Sequence, residues 1–380
     1  MIKIFVLLTA LSLEVFAAES KLALNDVTVL LPLPAIGEWN YLPQPETTTP
    51  RGTLLAREVF NQIPQLLAFA TNDDIYSAMR AVGVRIDPCF TEGHGPLKCQ
   101  NQIRLVWQPL SDADSETSTF DASMHSFYQL TESEFKLLVS DLKKLKTDFG
   151  TDANDLEPLG INPIIKSQGL NSEYYRNFLE IIYSYIGETN FSRVTFMQLS
   201  MTGNVWVFGG FDYKNAELKP ISIPRVDSFR QTFRNAAVPR PIWFLGGITP
   251  EPTQDENFNI LTRDSRKLAP TDEAAVIEAA KSALKIENPK FHNPGTVDCV
   301  SCHVAQPAKI WAMRQYPWLQ LDRLNRDVTY QSKLDIRNLS PMQVHTNILR
   351  AFGYFMDMPF IAQRTINESA EVVNYISLNY

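Results

Sequence analysis

The spacing of apolar positions divides the chain into segments with different periods. Val27-Thr28-Val29-Leu30-Leu31 is β-rich and predicts a strand, after which Pro32, Pro34, Pro43, Pro45 and Pro50 enforce extended, irregular chain. Residues 52–70 carry apolar side chains at partial helical spacing, broken at Pro64, and Asn72-Asp73-Asp74 predicts the cap of a short helix running to Arg80. Val82, Val84 and Ile86 alternate with small or polar residues, as do Ile103, Leu105 and Trp107, so two half-buried strands are expected with a long hairpin loop between them. Thr131-Glu132-Ser133-Glu134 has the form of a capping box ahead of Phe135, Leu138, Leu142 and Leu145, an amphipathic helix. A second helix is expected over residues 174–186. Strands follow over 193–199 and 205–208, joined at Thr202-Gly203-Asn204, and a further one over 241–248.

These elements predict an α+β domain with a largely antiparallel sheet over residues 18–250. A polar, proline-containing linker follows over 251–270. The pattern then turns helical. An Ala-rich helix starts at Thr271-Asp272-Glu273, another is expected from Ser340-Pro341 to about Gly353, and a third spans residues 367–376, so residues 271–380 are expected to be all-α.

The N-terminus adds a compartment. One lysine, an apolar run and Val15-Phe16-Ala17 form the pattern of a cleavable signal peptide over residues 1–17. The run is short for a membrane span and no later one is longer. The expected product is therefore exported, periplasmic in a diderm host, either free or associated with the outer membrane, and has no transmembrane anchor after signal removal. Across 380 residues the formal charge is −7, without a basic stripe, which argues against a nucleic-acid partner.

The chemistry gathers at Cys299-Val300-Ser301-Cys302-His303. Cys-x-x-Cys-His is the attachment signature of a c-type haem: two thiols at this spacing reach the two vinyl groups of a porphyrin, and the histidine next to them reaches the iron. A Cys-x-x-Cys redox pair and half of a zinc site are the competing readings. Export favours haem, because c-type haem is attached outside the bacterial cytoplasm. The other two cysteines, Cys89 and Cys99, lie close together in an exported chain, and a disulfide between them is expected. Glu92 and His94 in the same loop lack a third ligand and are read as solvated. His125 and His292 are read as structural or surface residues.

From residue 271 onward the chain resembles a class I cytochrome c domain. Besides the motif, the resemblance rests on Met358-Pro359, on the C-terminal helix and on Pro317 with Leu319. It implies a single covalent haem c with His303 and Met358 as axial ligands. Met356 and His345 are the alternatives, with Met342 a further competitor. It also implies a carbonyl from the Pro317–Leu319 segment on the His303 Nδ1–H, and a C-terminal helix packed across the helix before the motif. Val304 departs from the family, which usually has Gly there. The function implied is electron transfer to a redox partner protein in the cell envelope, with the N-terminal domain as a docking or binding module. Two alternatives stay open: a haem-dependent catalyst or sensor with an open distal site, and a non-redox envelope binding protein with an accessory haem domain.

Overall fold

The computed structural model of the chain describes residues 20–64, 66, 71–88, 100–113, 116–151, 157–200, 205–224, 226, 230–235, 244–245, 272–320, 323, 325–334 and 348–380. The expected signal peptide, the 251–270 linker, Cys89, Cys99, Glu92, His94, Met342 and His345 lie outside these residues, as does the turn at 202–204.

The fold is α+β, built on a large antiparallel sheet. Among the described residues its strands are β1 (Thr28–Leu30), β4 (Met79–Asp87), β5 (Asn101–Ala113), β6 (Glu116–Thr119), β7 (Ala122–Leu130), β8 (Phe191–Ser200), β9 (Val205–Lys214), β10 (Glu217–Pro220), β11 (Arg230–Asn235) and β12 (Phe244–Leu245). A two-residue pair, β2 (Thr48–Thr49) and β3 (Gly52–Thr53), stands apart. The order is β1-β4-β5-β7-β8-β9-β11-β12, with β6 paired to β5 and β10 to β9. Register places Val84 beside Leu105 and Leu105 beside Ser126, then Ser126 beside Val194, so alternate residues of four strands share each face.

One face is closed. Ile103, Leu105 and Trp107 of β5, Met124 and Tyr128 of β7, and Val194 and Phe196 of β8 join the core cluster that holds α4 (Glu132–Phe149) and α6 (Glu173–Tyr185). Phe135, Leu138 and Leu142 from α4 and Tyr175, Phe178 and Ile182 from α6 supply the helical side of that cluster, all buried. Each contributes about 1.5–3 kcal/mol on leaving water. The predicted capping box forms: Thr131 Oγ1 accepts from the Glu134 amide at 3.2 Å, and the Thr131 amide donates to Glu134 at 2.7 Å. Around this core lie the short helices α1 (Leu24–Val27), α2 (Arg57–Phe60), α3 (Asn72–Ala78) and α5 (Pro163–Gln168). Among the described residues of 52–70 the helical signal is a single turn, α2, and the helix after Thr71 stops at Ala78, just before β4. Lys146, near the end of α4, is buried and pairs with Asp26 at 2.6 Å.

The other face carries the C-terminal segments: α7 (Glu273–Glu287), α8 (Cys299–Gln315), the hairpin β13 (Phe352–Phe355) and β14 (Met358–Ile361), and α9 (Gln363–Asn379). Ala279, Ala280 and Ala283 of α7 and Val304, Ala308 and Ala312 of α8 form a second cluster with Met197, Trp206 and Phe208 of the sheet. The residues after 271 are therefore not an all-α unit. A hairpin stands where the end of a helix was expected, because Phe352 and Tyr354 have partners on the sheet. Gln108 of β5 donates to the Tyr354 carbonyl and accepts from its amide, at 3.0 and 2.7 Å. Gly353, at φ +130°, leaves room for that side chain. A Cβ at Gly83 of β4 would lie 2.5 Å from the Phe352 ring, so glycine there is what lets the hairpin lie on the sheet.

The C-terminal helix meets the end of α7, where Asn367 donates to the Glu287 carbonyl at 2.9 Å, as the resemblance implied. Its apolar side, Ile366, Ala370, Val373 and Ile376, belongs to the main core instead, and Ser369 shares a 2.7 Å hydrogen bond with Thr28 of β1. No helix among the described residues is long and apolar enough to cross a membrane.

Candidate functional site

The N-terminus of α8 is clamped to the sheet. Asp298 caps it, accepting from the Ser301 amide at 3.0 Å. Gln231 of β11 donates to Asp298 at 2.5 Å and accepts from the Val300 amide at 2.9 Å. In the loop before it, Asn293 accepts from Gly295 and donates its amide to Thr296, and His292 shares a 3.2 Å bond with Thr296. His292 is thus a buried part of this loop rather than a surface residue.

With the helix start fixed, Cys299, Cys302 and His303 occupy positions i, i+3 and i+4 and share one helix face. Both cysteines are free. Burial, the neighbouring Asp298 charge and Cys302 push the Cys299 thiol up to about 12, and burial raises Cys302 as well. Both sulfurs are therefore protonated at neutral pH. The His303 ring packs tilted against Phe208 of β9, with ring centroids 4.9 Å apart. Its Nδ1 lies 2.5 Å from the Leu349 carbonyl. A carbonyl oxygen only accepts, so Nδ1 carries the proton and Nε2 presents a lone pair. Burial, with Arg350 and Arg364 adding to it, holds His303 down at about 4, so the ring is neutral.

The orienting carbonyl is thus Leu349's and not one from the segment after α8. Pro317–Leu319 forms a single 3₁₀ turn whose Pro317 carbonyl faces the Gln320 amide. Leu349, just before the hairpin, is brought there by the anchoring of β13 on the sheet.

The sheet beneath α8 contributes a residue that sequence reasoning set aside. His125, in β7, pairs laterally with Val106 and Thr195, on the face that carries Phe208. Burial lowers its pKa well below the usual histidine value, and the charges of Arg104, Arg85, His303 and Arg350 press in the same direction. Burial is the leading cause of the shifts at Cys299, Cys302, His303 and His125, yet each keeps part of its surface accessible. Phe127, Arg104 and Thr195 on the same central rows are also only half-buried. These half-buried residues lie on the sheet face that the first turns of α8 contact through Phe208 and Gln231, and that partly accessible region is the recess.

The recess is rimmed by charge. Arg85 pairs with Glu368 at 3.1 Å and with Asp87 at 3.6 Å, Arg104 with Asp87 at 2.5 Å, Arg364 with Glu368 at 2.6 Å, and Arg350 with Asp121 at 2.7 Å. Burial alone would raise Glu368 and is the largest single influence on it. Arg364, Arg85 and Arg104 together outweigh burial and hold the carboxyl at about 2. The Nε atoms of Arg85 and Arg350 are buried without a hydrogen-bond partner. Among the described residues, no three His, Cys, Asp or Glu side chains converge to hold a metal ion directly.

The methionines expected opposite His303 sit on the hairpin. Met358 is in β14, not in a loop, packed with Ile348 and Phe360. Met356 is in the turn at φ 57° and is 55% exposed, its carbonyl accepting from Thr119 at 2.9 Å. The structure brings Cys299, Cys302 and His303 together on one helix face, and His125 lies on the sheet face that His303 meets at Phe208. Met356, exposed in the turn, is not gathered with them, and Met358 has its contacts within the hairpin cluster. Comparison with protein-family models, with curated proteins and with solved structures finds no match for this chain.

Proposed function

We propose that the chain carries one covalent haem c, bound through thioethers at Cys299 and Cys302 and through His303 to the iron, and that it transfers electrons in the cell envelope. The observation that carries this reading is the state of His303. It is a neutral imidazole whose Nδ1–H is committed to the Leu349 carbonyl and whose Nε2 is left for a metal, on the same helix face as two free, protonated thiols. The donor set fits the group. The recess supplies half-buried Phe127 and Thr195 as lining. The unpartnered Nε–H groups of Arg85 and Arg350 are donors suited to carboxylates such as haem propionates. When bound, the haem would supply a one-electron Fe(III)/Fe(II) couple. The protein's residues fix the ring orientation, exclude bulk water and set the charge around the couple. The class I cytochrome resemblance of residues 271–380 supports the same reading at the motif, with export and a redox partner protein as its setting.

The placement of Met356 and Met358 on the hairpin favours a second reading, a catalyst or sensor with an open position opposite His303. Voltammetry of the holoprotein separates the two. Electron transfer predicts a reversible one-electron wave unaffected by carbon monoxide. A wave that shifts with carbon monoxide, or a catalytic current with peroxide, would replace it with the second reading.

A further inference from the structure

We infer that His125 is the second axial ligand of this haem, so that one imidazole comes from the helix layer and the other from the sheet; this rests on the haem reading above. Phe208, which the His303 ring touches, lies two strands from His125 on the same face, about 10 Å across the ladder and about 7 Å along it. His303 approaches the recess from above this floor and His125 stands on it. The histidines buried nearby are engaged: His292 with Thr296 and His303 with Leu349. The His125 imidazole has no side-chain hydrogen bond to a described residue; its ring neighbour is Phe127, at 6.4 Å between centroids. A half-buried neutral imidazole that no side chain holds can offer a ring nitrogen to a metal. Arg104 lies over Phe127 at 5.1 Å and is paired with Asp87 at 2.5 Å.

The test compares His125→Ala and Met358→Leu with the wild-type holoprotein, all exported from a host with c-type maturation. Visible and electron paramagnetic resonance spectra are recorded with and without carbon monoxide. The wild type is expected to be low-spin and inert to carbon monoxide. His125→Ala should keep its covalent haem, lose the low-spin spectrum and bind carbon monoxide when reduced, and added imidazole should restore the low-spin state. Met358→Leu should match the wild type. A low-spin, inert His125→Ala protein, a wild type that binds carbon monoxide, or conversion by Met358→Leu would each overturn the assignment while leaving the haem in place. A wild type without covalent haem would instead remove the underlying reading. If His125→Ala does not fold, His125→Met serves. It should raise the potential and introduce a sulfur–iron absorption band, and an unchanged spectrum would overturn the assignment.

Discussion

The two faces of the sheet solve different problems. The face under α4 and α6 is closed by large apolar side chains, and its few polar atoms are bonded to one another. Trp107 donates to Ser126 at 2.8 Å, Ser126 to Tyr128 at 3.1 Å, and Tyr128 to the Leu54 carbonyl at 2.6 Å. The face under α8 and α9 keeps half-buried residues at the centre of the sheet, four guanidinium groups against three carboxylates, and two buried Nε atoms without partners. A packed core tolerates none of these features well, whereas a binding recess needs them. One face is closed by packing; the other keeps half-buried and charged groups.

The sharpest way to break this contrast is in the closed face. Trp107→Ala should cost about 4 kcal/mol in chemical denaturation, with or without cofactor, because it opens a cavity and strands Ser126. A loss below about 1 kcal/mol would mean that this face is not the structural one.

On the open face, Glu368→Gln removes the carboxylate that Arg85 and Arg364 share, and about 3 kcal/mol should be lost at pH 7. The pH dependence has a definite sign. Glu368 is held at about 2 in the folded protein, below its ordinary value near 4.5. Its contribution is therefore full above pH 4.5 and fades as pH falls toward 2. The wild type should lose stability across that window more steeply than Glu368→Gln. Parallel acid titrations would refute the pairing.

The smallest effect belongs to the cap of α4. Thr131→Ala should cost about 1 kcal/mol and leave any bound cofactor spectroscopically unchanged, since α4 lies on the face away from the recess. A spectral change would join the two faces more tightly than their packing indicates.

The closed face was legible in the sequence because its signals are local. The Thr131–Glu134 box and the alternation in 82–86 and 103–107 each lie within a few residues. Strand β7 was not legible. Its inward row reads Met124, Ser126, Tyr128, and a polar residue in the middle hides the alternation. Trp107 on the neighbouring strand and Tyr128 on its own make Ser126 acceptable there. The same gap hid His125, which is in opposite phase on the same strand. The attachment motif could be read directly, since its residues are contiguous. The partner of His303 could not: Leu349 is 46 positions away and reaches it only because Gln108 and Gly83 seat the hairpin. Local pattern marked the motif, and long-range register built its surroundings.

The most direct test is whether haem survives denaturation. The wild-type protein and the Cys299→Ala/Cys302→Ala variant would be exported from a host with c-type maturation, unfolded, and extracted with acidified organic solvent. The account predicts one haem per chain that stays with the unfolded wild type, and none that stays with the variant. A folded, exported wild type carrying no covalent haem would contradict it.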